Sequence, residues 1–161
     1  MINYLFFSVL TYYSYLLGEY AIHRFSHYKH KYNLLYFNHM KHHKNHYTYS
    51  EVMKKSPFKC DTYFYIPVSL ILHTPILLTI YYLIYVYIYA YSYFIITEIN
   101  ILLLISDYIH TNIHTKDNWL EDYKFFQQCR SIHFLHHKNL KKNFSLSGYD
   151  NTFDQLFKTF E

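Results

Sequence analysis

Apolar and polar positions along this chain fall into four blocks. Residues 2–22 are apolar and aromatic, with Glu19 the only charge. Residues 28–59 are polar and basic, residues 60–106 are apolar again, and 107–161 are polar and end in an amphipathic tail. About 20 apolar residues of helix cross a hydrocarbon core, so the first block predicts one span over 2–22. A secretory signal peptide fits less well, because no basic segment precedes the apolar run and no small-residue cleavage site precedes the histidines. The third block is too long for one crossing. It predicts two, over 62–81 and 86–106, with a tight turn near Tyr81–Tyr87 and with Pro67 and Pro75 able to kink the first. Segments 23–60 and 107–161 then predict helices at the membrane surface, and the tail from Asn143 to Phe160 predicts a helix packed back on the body. The expected fold is a single all-α integral-membrane domain over 1–161. It has about three transmembrane helices and a histidine-rich helical cap.

The polar blocks carry a repeated pattern. His23-x3-His27 is followed by His39-x2-His42-His43, and His110-x3-His114 is followed by His133-x2-His136-His137. Residues three and four apart share a helix face, about 5–6 Å apart at Cβ, so such pairs can aim at one ion. With 13 histidines in 161 residues, chance gives about 0.1 copies of His-x2-His-His per chain, and two are present. Each copy also has an acid on the same face, Glu19 before His23 and Asp107 before His110. Glu19 is placed to accept a hydrogen bond from the outer nitrogen of His23, or to snorkel at the membrane edge. His30 and His46 fall outside the repeat and are expected to be surface residues. His73 lies inside an apolar span without a partner histidine and is expected to be structural. Glu98 is expected to line a cavity or to make a helix contact.

Charge adds a direction. The 15 Lys and Arg all lie within Arg24–Lys59 and Lys116–Lys158, none in 1–23 or 60–115. An even number of crossings separates the two windows, so both face one compartment, which the positive-inside rule makes cytoplasmic. The net charge of +4 sits beside apolar spans, which favours phospholipid headgroups over nucleic acid. Cys60 and Cys129 match no metal-binding cysteine motif and are expected to be reduced.

Ten histidines, five from each half, are therefore expected to converge. They exceed the needs of one ion and suit two, with about five imidazoles each and a position left for oxygen or water. No catalytic residue beyond these ligands is expected. Glu19, Asp107 and Asp154 are the carboxylates expected to orient them. A reactive di-metal centre against a membrane suggests oxidation of an apolar lipid chain, whose C–H bonds offer no leaving group.

The runs HRFSH, NHMKHH, DYIHTNIH and HFLHH resemble the membrane fatty acid hydroxylase / sterol desaturase superfamily. The tail NFSLSGYDNTFDQLFKT is similar to that family's ending, except at Ser145, Phe153 and Lys158, where Gly, Trp and Gly are usual. The resemblance runs from Glu19 to Phe160. It implies a di-iron oxygenase (zinc often replacing iron on purification) with the ten histidines as ligands. It also implies O2 as co-substrate, and electrons from NAD(P)H through a reductase and a b-type cytochrome or ferredoxin acting in trans. The expected location is a multi-pass membrane position, in the endoplasmic reticulum for a eukaryotic host. Hydroxylation of a fatty acyl or sphingolipid chain is the leading expectation. Desaturation or sterol oxidation by the same centre stays open, as does a histidine-rich metal transporter or store, which would instead place its ligands along a path within the spans.

Overall fold

The computed structural model describes residues 2–55 and 78–161. His73, Cys60, Pro67, Pro75 and most of the 62–81 span expected from sequence lie outside them. The described residues are helical and contain no strand; one isolated bridge joins Lys54 and Thr115.

Helix α1 runs over Ile2–Ser26. At about 1.5 Å per residue it is roughly 38 Å long. Helix α2 covers Leu34–Lys41 and passes into a π-helical turn over His42–His46. An apolar helix α3 follows over Leu78–Tyr87, then a 3-10 turn at Tyr89–Tyr91 and helix α4 over Ser92–Ile113. Helix α5 covers Lys124–Lys138, and a short α6 covers Thr152–Leu156.

The expected turn at Tyr81–Tyr87 is helical. The chain turns at Ile88–Tyr91 instead, where Ile88 leaves helical dihedrals at φ −131 and ψ 40. The span placed at 86–106 is accordingly the later helix α4, which continues unbroken through Asp107 to Ile113. Hydropathy marks where apolar residues stop, not where the hydrogen-bond ladder stops. No Gly or Pro between Leu77 and Ser147 punctuates this stretch.

Helices α1 and α4 pack side by side and parallel. Asn3 Nδ2 donates to Tyr91 Oη at 3.1 Å, Ser8 Oγ to Glu98 Oε1 at 2.7 Å, and Ser106 Oγ to Glu19 Oε2 at 2.8 Å. Short serines let the backbones approach while their hydroxyls satisfy carboxylates, an arrangement suited to helices in apolar surroundings. Glu98 is thus a helix-packing contact.

Among the described residues one helix, Tyr89–Ile113, is long and apolar enough to cross a membrane, and little of it is buried in the protein. Its Ile101, Leu104, Ile105 and Tyr108 are exposed, as are Leu5, Phe6, Val9 and Leu10 of α1. In α1, Asn3, Glu19, His23 and five tyrosines dilute the hydropathy.

Instead of one continuous helix, the tail is an irregular strap with a single helical turn at α6. Left-handed residues interrupt it at Asn143 (φ 54), Gly148 (φ 67) and Lys158 (φ 57). Asn and Gly tolerate that region; lysine does so at a cost. The strap lies against α1 and α5. Tyr20 of α1 stacks on Phe157 at 5.2 Å, and a Cβ on Gly148 would sit 2.8 Å from the Cys129 carbonyl oxygen. Cys129 is a free thiol, buried in a small core with Ile113 and Phe126.

Candidate metal centre

All ten histidines of the repeated pattern come together at one end of the α1–α4 pair. They form two groups whose ring nitrogens lie within 4.8 Å of one another: His23, His27, His39, His43 and His136 in the first, and His42, His110, His114 and His133 in the second. His137 joins the second through Nε2, 3.1 Å from His133 Nε2, while its Nδ1 lies 3.2 Å from His43 Nδ1. It stands where the groups meet.

The local helices explain this sorting. In His-x2-His-His the first and last histidines are four apart and point the same way. The middle one is turned about 100° from its neighbour and points elsewhere. His39 and His43 accordingly share the first site with Nε2 atoms 2.8 Å apart, while His42 serves the second. In the second copy His133 and His137 share the second site, while His136 serves the first. Each site takes four imidazoles from its own half of the chain and one from the other. The π-helical turn over His42–His46 holds the first copy's pair; such turns recur at functional sites.

The nitrogen spacing is that of ligands. His39 Nε2 lies 3.0 Å from His23 Nε2, 2.9 Å from His27 Nε2 and 2.8 Å from His43 Nε2. One ring nitrogen carries one proton or one lone pair, so three such neighbours cannot all be satisfied by hydrogen bonds. A cation satisfies them together: metal–nitrogen bonds of about 2.0–2.1 Å put neighbouring ligand atoms about 3.0 Å apart at right angles. In the second site His133 Nε2 is 3.0 Å from His114 Nε2. His110 Nε2 and His136 Nε2 are buried and have no hydrogen-bond partner among the described residues, so both lone pairs are free to ligate a cation.

Outer hydrogen bonds fix which nitrogen faces inward. His23 donates Nδ1–H to the Phe144 carbonyl oxygen at 2.7 Å, and His136 to that of Lys142 at 2.6 Å. His114 donates to the Val52 carbonyl at 2.7 Å, and His137 to that of Tyr47 at 2.8 Å. Each bond leaves Nε2 bare and aimed at the site. Burial lowers the pKa of His27 to about 3, helped by the neighbouring His136 and His137. It lowers His136 to about 4 against the opposing pull of the Lys142 carbonyl, and His137 to about 3. His39, His42 and His133 are held well below the usual imidazole range, first by burial and then by neighbouring histidines. Neutral imidazoles are the form that binds a metal.

The carboxylates differ from expectation. Glu19 does not touch His23. It is half-buried and accepts from Ser106 Oγ and, at 2.9 Å, from the Leu146 amide, because the His23 Nδ1 it was expected to engage is taken by Phe144. Asp107 is exposed on α4 and, although it shares a helix face with His110 and His114, makes no hydrogen bond to a histidine among the described residues. Asp154 is wholly buried and acts one step out. It accepts from the Phe144 and Ser145 amides and from Thr159 Oγ1, each at 2.7 Å, and so holds the peptide whose carbonyl holds His23. His30 is exposed and His46 partly buried, and neither joins a group.

The backbone acceptors at Tyr47, Val52, Lys142 and Phe144 were not anticipated from sequence, since a carbonyl oxygen carries no residue signature. Imidazole nitrogens suit zinc, copper, iron and nickel alike, so the donor set fits two ions of this class without choosing among them. Compared with known proteins, the chain matches no family model, no curated protein and no solved structure.

Proposed function

We propose that this chain is a membrane-embedded di-iron oxygenase that hydroxylates a lipid chain, of the kind seen in the fatty acid hydroxylase / sterol desaturase superfamily. The observation that carries the reading is the paired, all-imidazole site. Two buried groups of five histidines stand side by side at the end of an apolar helix whose outer face is uncovered. In this reading α1 and α4 are transmembrane, a third span lies between them, and the histidine-bearing helices form a cap on the cytoplasmic face.

The iron pair, when bound, supplies activation of O2 for attack on an unactivated C–H bond. The protein's own residues do the rest. The ten Nε2 and Nδ1 atoms hold the ions, and the carbonyls of Tyr47, Val52, Lys142 and Phe144 keep the rings turned. Burial keeps the imidazoles neutral and limits water at the site. The apolar surfaces of α1 and α4 bring the acyl chain alongside. Lys41, Lys44 and Lys138, exposed and beside the buried histidines, offer a docking face to an acidic electron carrier. A desaturase differs only in how the oxidised carbon is resolved, and no residue here separates the two outcomes.

The test uses the full chain reconstituted in lipid. It should hold two tightly bound metal ions. With iron, a reductant and O2 it should add one oxygen, or remove two hydrogens, from a membrane lipid detected by mass spectrometry. A protein that holds two ions and leaves every lipid unchanged would refute the oxygenase. Loosely and variably bound ions would favour transport or storage.

A further inference from the structure

The two ion sites are held by different parts of the chain. At the first, both Nδ1 bonds that orient ligands go to the C-terminal strap: His23 to Phe144 and His136 to Lys142. Asn143, between those carbonyls, is wholly buried and left-handed; its amide donates to the Thr159 carbonyl at 2.8 Å, and its Oδ1 accepts from the Glu161 amide at 3.0 Å. Asp154 fastens the next two amides, those of Phe144 and Ser145, and takes a third bond from Thr159. At the second site the corresponding bonds go to residues 47–52: His137 to Tyr47 and His114 to Val52. That segment is anchored separately. The Lys54 amide donates to the His114 carbonyl at 2.8 Å, the Lys116 amide to the Lys54 carbonyl at 2.9 Å, and the Tyr47 ring stacks on His114 at 4.0 Å. No bond of Asp154 reaches the second site.

We infer that the C-terminal strap is a latch for the first ion alone, with Asp154 as its positioning residue, and that residues 47–54 are the latch for the second. The two ions therefore differ in what secures them, although their ligand sets mirror one another. Loosening the strap frees the rings of His23 and His136 to turn, while His114 and His137 stay aimed. Loss of an outer partner of a ligand weakens metal affinity by about 10- to 100-fold, so release of the two ions becomes stepwise. The inference rests on the di-metal reading but not on the reaction.

The experiment counts metal. Full-length protein in detergent is loaded with cobalt, whose visible spectrum reports each site, and then titrated with a chelator. Wild type should release two ions over one narrow range. Asp154→Asn, which turns an amide N–H toward the strap's own N–H groups, should lose one ion about 10- to 100-fold more readily and keep the other. Adding His23→Ala to Asp154→Asn should remove no further ion, whereas adding His110→Ala should remove the one that remains. Should Asp154→Asn not fold, as judged by its helicity, Thr159→Val decides. It deletes one donor to Asp154, together with that hydroxyl's 3.2 Å contact to Tyr20 Oη, and should show a smaller loss confined to the same site. Equal weakening of both ions in folded protein, or of neither, would overturn the latch. A wild-type protein that binds no metal would overturn the centre itself and the latch with it.

Discussion

The chain contains two glycines, Gly18 and Gly148, and the structure predicts that replacing them with alanine has opposite effects. At Gly148 the backbone is left-handed, with φ 67, and a Cβ would lie 2.8 Å from Cys129 O and 3.3 Å from Cys129 Cα. A left-handed alanine costs about 1–2 kcal/mol. The clash is with helix backbone that cannot swing aside, and overpacking of this kind costs about 1–3 kcal/mol. Reduced freedom of the unfolded chain returns about 0.4–1 kcal/mol. The net is a loss of roughly 2–4 kcal/mol, or a fall in Tm of roughly 5–15 °C for a chain of this size. Gly18 sits inside α1 with nothing within 4 Å of an added Cβ, so alanine there stabilises the helix by about 0.5–1 kcal/mol, a rise of roughly 1–4 °C. Thermal unfolding of metal-free protein in one detergent, followed by circular dichroism, measures both. If Gly148→Ala melts with wild type, the strap does not lie against α5 as described. If Gly18→Ala is the more damaging change, α1 is packed where the structure leaves it open.

Three further outcomes are expected. Lys158→Gly relieves the left-handed backbone at φ 57 and should stabilise the protein by about 1 kcal/mol, read as a rise in Tm; a fall would mean that the lysine side chain makes a contact worth more than the strain. In metal-free protein, burial lowers the pKa of His27 and His137 to about 3 and of His136 to about 4, below the ordinary 6.5. The unfolded chain therefore takes up protons first, so stability is full above about pH 6.5 and is lost as pH falls toward 4; a melting temperature constant over that range would contradict their burial. Trp119, the single tryptophan, is exposed just beyond α4, with Nε1 donating to Tyr108 Oη at 3.0 Å. In vesicles its fluorescence should be quenched by lipids brominated near the headgroup and spared by lipids brominated at the chain end; no quenching by either would place α4 outside the bilayer.

The converging histidines were legible because helical spacing is written directly in residue numbers. His23, His27, His39, His43 and their counterparts needed only a period of 3.6 and the apolar blocks between them to be recognised as a converging set. The exchange of His42 and His136 between sites was implicit in the same spacing, since adjacent residues on a helix cannot face one point. What stayed hidden depends on backbone. The turn at Ile88 has no Gly or Pro to announce it, and the strap's course is set by left-handed residues at Asn143 and Lys158, of which only Lys158 stood out as a departure. Glu19 was expected to orient His23 or to snorkel at the membrane edge, and it holds Ser106 and the Leu146 amide instead. Helical register put it one turn from His23, and the strap reached that ring first.

The exchanged histidines make each ion a cross-link. An ion in the first site would tie His39 to His136, and one in the second His42 to His110, closing loops of about 100 and about 70 residues. By the loop-entropy argument used for disulfides, closing about 100 residues disfavours the unfolded state by about 4–5 kcal/mol. The described residues contain no disulfide, so ions bound at these two groups would act as long-range cross-links of the fold.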